Sequence, residues 1–560
     1  MNAKPVRRQA VERARSSMSS VVDAVRGVDV LRARGLFHPL RLDRALRASR
    51  AVSALGPVAG AIEHGAALHP NATAIIDDRG PMTYHGLDSG SNALARALAA
   101  RGVGSGSVVA LVARDHRGMV LAIAATAKVG ARLALMNTGF AAPQFVDVVA
   151  RERVSVVLYD DEFDALVNAL PPEIDQVSTE GARSDGTDRP NIDGLIAENS
   201  SAPLPRPKQP GGLVLMTSGT TGTPKGAPRG NVSLLQSAAF LDRVPLARNE
   251  TTVMVAPIFH GTGLSQFILT LALGGTVVLH RRFDAESTLA SVERTRAHAL
   301  ILVPTMLQRI IDLGPDVLAR YDTSSLHIIL SAGSALPTDL GVRAAAHFGN
   351  VLHNLYGSTE VAVALVATPA DLAQALGTVG RPPVGCRVAL FDNQGTIIDR
   401  PGVVGRIFAK STSSFGGYTD GRKKEIIDGM LSSGDMGHFD ADGLWFVDGR
   451  DDDMIVSGGE NVYPLEVENL LSGHTDIVEA VVVGVDDPEF GKRLRAYVVA
   501  ADTVDADAVR AYVRGNLARF KVPRDVVFVE QLPRNATGKV VRQRLAAMTD
   551  TRGSSAEPLR

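Results

Sequence analysis

Residues 216 to 230 read MTSGTTGTPKGAPRG and follow the apolar run LVLM. A strand-like run that opens into glycine and hydroxyl residues and closes on a lysine is suited to holding a phosphate. Gly219, Gly222 and Gly226 permit backbone geometries in which successive N–H groups converge on an anion. Thr217, Ser218, Thr220, Thr221 and Thr223 add hydroxyl donors, and Lys225 adds a positive charge. The P-loop pattern G-x-x-x-x-G-K-[ST] is not met, because Pro224 stands where its second glycine is required and Gly226 follows the lysine in place of Ser or Thr. A Walker-type kinase or motor is therefore disfavoured.

Outward from this loop, apolar runs alternate with helical patterns. SVVALVA (107–113) precedes MVLAIAATAKVGA and ARLALMN, while TTVMVAP, TVVLH, ALILVP and LHIILSAG follow the loop, each ending at small or turn-forming residues. Strands alternating with helices imply a mainly parallel α/β sheet, whose ligands sit at the carboxyl ends of the strands. Between Pro171 and Gly212 the composition turns to Pro, Gly, Ser, Asp and Asn, which reads as a long surface connection. Past Gly449 a shorter unit, with EAVVVGV, RAYVVA and DADAVRAYVRGNLARF, has the pattern of a small α+β domain.

The chain of 560 residues is long enough for two or more cored domains. A net charge of −1 and the lack of a basic tract interleaved with aromatics argue against nucleic acid as a partner. The single cysteine, Cys386, suits a reducing cytosol and excludes an internal disulfide. The uncharged run Thr262–Leu279 is about long enough to span a bilayer, but Gly274 and Gly275 divide it into a helix-like and a strand-like piece, so it reads as buried core. The first fifty residues carry twelve basic and four acidic side chains, with Val21, Val25 and Val28, then Leu42 and Leu46, at helical spacing. The preferred reading is a helical extension packed on the main domain; the alternative is peripheral contact of residues 1–50 with an anionic membrane.

The segment TSGTTGTPKG (217–226) matches residue for residue the phosphate loop of the adenylate-forming superfamily, which includes acyl-CoA synthetases, adenylation domains of peptide synthetases and luciferases. Six further motifs follow in the family's order: PIFH (257–260), SAGSALP (331–337), YGSTE (356–360), SSGDMG (432–437), GRDDDMIVSGGENVYPLEVE (449–468) and LPRNATGKV (532–540). The chain resembles this superfamily over roughly residues 60 to 545, and within it the bacterial fatty-acid–CoA ligases.

The resemblance implies an α/β fold: a large N-terminal domain of stacked α/β subdomains and a small mobile α+β C-terminal domain. The corresponding division is a basic extension to residue 60, an ATP- and acyl-binding domain over 61–449, a hinge at 450–452 with Asp452 as the hinge residue, a mobile domain over 453–545 and a tail. It also implies a reaction in two halves. A carboxylate attacks the α-phosphate of ATP to give acyl-AMP and pyrophosphate, then the thiol of coenzyme A displaces AMP.

By the same resemblance, the loop 217–222 with Lys225 holds the β- and γ-phosphates. Thr359 contacts the α-phosphate and Glu360 holds Mg²⁺, as suits a hard oxygen ligand. Tyr356 stacks on adenine, flanked by Gly357 and Ser358. Gly333 and Ser334 approach the base, although the family usually has a second glycine at the latter position. Asp435 accepts from the ribose hydroxyls, joined by Arg450, and His260 walls the carboxylate pocket. Lys539 drives adenylation and then swings away, when Ser457, Gly458, Gly459 and Glu460 line the coenzyme A channel.

The expected function is an ATP- and Mg²⁺-dependent ligase that joins coenzyme A to a medium- or long-chain fatty acid. The alternatives are an acyl-AMP ligase loading a carrier protein, an aryl-CoA ligase and a non-catalytic nucleotide- or lipid-binding protein. The expected partners are thus a fatty or other carboxylic acid, with a homodimer as the assembly, in the cytoplasm or peripheral at the inner membrane face.

Overall fold

The computed structural model describes residues 22–181, 189–217, 225–229, 234–411, 415, 417–451, 453–457, 460–487, 491–535 and 538–552. Its large domain holds two mostly parallel sheets with helices between them. In one, the strands Leu352–Tyr356, Ile328–Ala332, Ala299–Leu302, Thr251–Met254, Thr276–Leu279 and Thr73–Asp77 lie side by side in parallel, and an antiparallel strand closes each edge. In the other, Asp175–Ser178, Val156–Tyr159, Val108–Val112, Arg132–Leu135 and Leu213–Thr217 are parallel, and Lys225–Arg229 turns back against the last.

Both faces of these sheets are covered, which is why VVALV and ALIL are buried at every residue rather than alternately. Helices Leu42–Leu68, Tyr84–Ala100, Arg117–Lys128 and Gly261–Ala272 form the middle layer. Their Ile62, Leu94, Val120 and Phe267 share one core with Ile75 and Leu330 of the first sheet and with Val109 and Leu215 of the second. Each such fully buried side chain contributes about 1.5–3 kcal/mol, so the two sheets and the helices between them are stabilised as one body.

A third, antiparallel sheet contains Arg387–Phe391, Gly405–Lys410, Met430–Phe439 and Trp445–Arg450. The C-terminal domain has its own core of Val482, Ala496, Val498 and Phe528 with Val467 and Leu471 of the Pro464–Ser472 helix. The architecture is the expected one.

The segment 171–212 is more structured than its composition suggests. Asp175–Ser178 is an edge strand and Ile192–Glu198 a helix, because Val177 and Ile192, each fully buried, anchor an otherwise polar stretch. The Thr262–Leu279 run divides as expected, into the Gly261–Ala272 helix and the Thr276–Leu279 strand, with Gly274 at φ 74 making the turn. Among the described residues no helix is long and apolar enough to cross a membrane.

Residues 22–33 form a helix that packs on the body through Leu31, and Arg34 donates to the Leu241 carbonyl at 3.3 Å. The Leu42–Leu68 helix is broken at Gly56, and its second part runs through residue 60, so the end of the extension is continuous with the body.

Candidate functional site

A cavity of about 1830 Å³ opens where the parallel strands end and is closed on the far side by the C-terminal domain. Residues within two positions of the ends of four strands of the first sheet, Ala256, Val303, Gly333 and Gly357, all line it.

Leu352–Tyr356 delivers the YGSTE turn. Here the Ser358 hydroxyl accepts from the N–H groups of Glu360 and Val361, each at 3.3 Å, and the chain folds back until a side chain at Gly357 would lie 2.0 Å from the Ala362 carbonyl oxygen. Glycine is the residue that fits there. The turn places Thr359 in the cavity wall and buries Glu360 beside the Tyr418 hydroxyl, which donates to its carboxylate. Burial opposes ionisation of Glu360, but the hydrogen bonds from Tyr418 and Ser358 and the nearby Lys424 outweigh it and hold the carboxyl below its ordinary range.

Ile328–Ala332 ends at Gly333, whose φ of 99 turns the chain, and among the described residues only Val303 lies near where a side chain would project. Gly333 and the exposed Ser334 thus present backbone to the cavity.

The third sheet supplies the next pair. Asp435 and Arg450 are directly opposed across Met430–Phe439 and Trp445–Arg450, and Arg450 Nη1 donates to Asp435 Oδ1 at 3.2 Å. Tyr356 donates to the other carboxylate oxygen at 2.5 Å. Burial raises Asp435 above the ordinary carboxylate range, against the pull of Tyr356 and Arg450, and burial with the Asp435 charge raises Tyr356 well above its own.

Lys539 comes from the C-terminal domain on a tight loop. Arg534 and Val540 bridge, Gly538 N–H donates to the Asn535 carbonyl at 3.0 Å, and a side chain at Gly538 would lie 2.5 Å from the Thr305 hydroxyl. The loop tip is thus seated on the large domain. Protein atoms surround the Lys539 side chain, yet it stays open to the solvent of the cavity. That enclosure lowers its pKa, while Asp435 and Glu360 draw it back up.

His260 precedes the Gly261–Ala272 helix and lines the cavity with a buried Nε2 that has no hydrogen-bond partner among the described residues. Burial, with Lys539 nearby, lowers its pKa to about 4, so the ring is neutral at physiological pH. The preceding turn is held by Asp115, fully buried, whose carboxylate accepts from the Ile258 N–H at 3.1 Å.

Lys225 lines the same cavity with its ammonium 5.2 Å from the centre of the Tyr418 ring. Ser218, Gly219, Thr220, Thr221 and Gly222, the hinge Asp452, and Gly458 and Gly459 lie outside the described residues. The backbone of Thr217 pairs with Lys225, which sets the ends of the phosphate loop together. Ser457 pairs with Glu460 in a short hairpin and is absent from the cavity wall. The structure therefore brings Lys539 to the cavity, while Ser457, a described residue of the expected coenzyme A segment, does not line it.

Sequence reasoning missed Tyr418, Lys424, Thr305 and Asp115. Tyr418 lies in the glycine-rich FGGYTDG, a turn signal that pointed to a loop without showing where it would dock.

These residues fit a magnesium nucleotide. The cavity holds an ionised buried carboxylate, a lysine, exposed backbone at Gly333 and an unpaired imidazole nitrogen. Among the described residues no group of three or more His, Cys, Asp or Glu could hold a metal by itself. Glu360 would thus share the ion with phosphate oxygens, as magnesium sites commonly do.

Residues 62–419 match the family model described as AMP-binding enzyme, and residues 466–539 match the AMP-binding enzyme C-terminal domain. The chain is 34% identical over 504 residues to the indoleacetate–CoA ligase of Aromatoleum aromaticum, covering 87% of this chain and 98% of that one. It is 33% identical to a feruloyl-CoA synthase of Amycolatopsis, covering 85% and 96%. The crystal structure of o-succinylbenzoate CoA synthetase from Bacillus subtilis, in complex with its acyl-adenylate intermediate, superposes with a TM-score of 0.75 at 25% identity, covering 89% and 99%.

Proposed function

This chain belongs to the AMP-binding enzyme family, and from that membership we propose that the acid it activates is aromatic and leaves as a coenzyme A thioester. It is an AMP-forming acid–thiol ligase that uses ATP, Mg²⁺ and coenzyme A. The observation that carries the choice of acid is the identity of the relatives. Two that match at 33–34% over nearly their whole length are named for indoleacetate and ferulate, and a structural neighbour is named for o-succinylbenzoate. They favour the aryl alternative over the fatty acid expected from the sequence. The cavity wall is compatible with a flat apolar acid, since Ala256, Leu264, Ile268, Ala332 and Leu355 contribute to it.

Placement in one cavity supports the roles proposed for the side chains. Adenylation brings an anion to a polyanion, so charge neutralisation dominates the barrier. Bound Mg²⁺ would supply a Lewis acid at the phosphate oxygens, held by Glu360. Lys539 places a cation where carboxylate and α-phosphate meet, and Thr359 donates to the α-phosphate. Tyr356, Asp435 and Arg450 orient the nucleoside, and Gly333 and Ser334 bound the base. Neutral His260 walls the carboxylate pocket without adding charge. Lys225 and the loop it closes stabilise the departing pyrophosphate.

The thioester half requires Lys539 to leave and the 457–460 segment to approach, a rotation about Asp452 of the kind seen in hinge closures. Incubation with indoleacetate or ferulate, ATP, Mg²⁺ and coenzyme A should yield the corresponding thioester by mass spectrometry. Accumulation of acyl-AMP without thioester would instead favour loading of a carrier protein.

A further inference from the structure

The Leu42–Leu68 helix is interrupted at its middle. Gly56 adopts φ 75 and ψ 175, and Pro57 has no N–H to return to the preceding turn, so the helix stops and restarts across that pair. The interruption faces the site. Leu55, Gly56, Pro57 and Ala59 line the cavity, and a methyl group added at Gly56 would meet none of the described residues within 4 Å.

The same helix packs on Arg117–Lys128 and on Gly261–Ala272. Ile123 from the first of these, and Leu264 and Ile268 from the second, line the cavity too, and Gly261–Ala272 begins directly after His260. Apolar side chains of the one cavity thus extend from the proposed carboxylate wall to the interrupted helix, and we read them as a branch of it. The match to the family model begins at residue 62, so this end of the branch is built from residues before it.

We propose that the Leu55–Ala59 interruption is the floor of the acid-binding branch and sets the length of acid the enzyme admits. The N-terminal extension is then a determinant of specificity as well as a packed appendage. Leucine, proline and alanine side chains offer no charge to a second ionic group, so the floor suits acids whose far end is an uncharged ring or alkyl group. The inference rests on the reading that the acid occupies the branch beside His260.

The test compares the full-length enzyme with Leu55→Ala and Leu55→Phe, measuring kcat/KM for pyrophosphate release. The acids are benzoate, 3-phenylpropanoate and 5-phenylpentanoate, with straight-chain acids of matched length in parallel. A methylene-scale change in an apolar pocket alters discrimination by about 10- to 200-fold. Leu55→Phe should lower the longest acid accepted by at least about tenfold relative to benzoate, and Leu55→Ala should shift the preferred length upward, both with the KM for ATP unchanged.

Proportional change for every acid, or no change in the profile of either variant, overturns the proposal. Should Leu55→Phe fail to fold by circular dichroism, Leu55→Ala still reports the shift. If only straight-chain acids react, the aromatic reading fails while their length profile still tests the floor.

Discussion

The hydroxyl of Tyr356 donates to Asp435 at 2.5 Å, so the ring proposed to stack on adenine and the carboxylate proposed to hold the ribose form one hydrogen-bonded unit across two sheets. Tyr356→Phe keeps the ring and removes the donor. A hydrogen bond to a charged group contributes about 1.5–3 kcal/mol, and Arg450 still holds the other oxygen at 3.2 Å. The KM for ATP should therefore rise by about tenfold with kcat little changed, as read by pyrophosphate release with ATP varied. An unaltered KM would mean that Arg450 alone places Asp435.

Lys539 faces Asp435 and Glu360 in the cavity but belongs to the C-terminal domain, which is proposed to move between the half-reactions. Lys539→Ala should cost the adenylation half about 3–4 kcal/mol, by analogy with loss of one preorganised donor. Thioester formation from supplied acyl-AMP should be largely spared. Equal loss in both half-reaction assays would remove Lys539 from its proposed role.

The pH dependence of stability should carry the signature of His353. It is buried on the Leu352–Tyr356 strand, with Nδ1 donating to the Val351 carbonyl at 3.0 Å, and burial lowers it to about 4. Unfolded histidine titrates near 6.5. Between those values the unfolded chain binds the extra proton, so stability is intact above about pH 6.5 and lost as pH falls towards 4, by about 3 kcal/mol in all. Asp115 has the opposite sign: burial raises it to about 7, so its contribution is present below the unfolded carboxyl range, about 4, and lost as pH rises to 7. His260 and Asp115 titrate in both proteins, so comparing wild type with His353→Gln isolates one group. Calorimetry from pH 7 to 4.5 should show a smaller drop in Tm for the variant; parallel curves would contradict this.

On the alternative reading of the extension, its outer face binds anionic lipid. Val22, Val25 and Val28 are 51%, 58% and 45% exposed on the 22–33 helix, which also exposes Arg26, Arg32 and Asp29. Apolar side chains among arginines suit an anionic interface. The protein should sediment with phosphatidylglycerol vesicles more than with phosphatidylcholine, and Val25→Ser with Val28→Ser should reduce that difference. Equal sedimentation with both lipids would leave the helix as a packed extension alone.

The parallel strands were legible because runs such as ALIL are buried on both faces and read as continuous apolar segments. The site was legible where its residues fall in short motifs, as at YGSTE and SSGDMG. It was not legible where the fold joins distant segments. Tyr418 meets Glu360 from 58 residues away, and Asp115 holds Ile258 from 143. The edge strand Asp175–Ser178 was hidden because a single buried valine anchors a polar stretch. Acid preference was the least visible, since it depends on how far the cavity extends. Gly56–Pro57 is an ordinary breaker signal, but only packing shows that it faces the cavity.

The central claim is that an aromatic acid is activated and passed to coenzyme A. Its most direct test is kcat/KM for coenzyme A thioester formation by the purified enzyme with indoleacetate, ferulate, 2-succinylbenzoate and benzoate against octanoate and palmitate. At least one aromatic acid should exceed both fatty acids by about tenfold or more. A fatty acid that matches or exceeds every aromatic acid would contradict it.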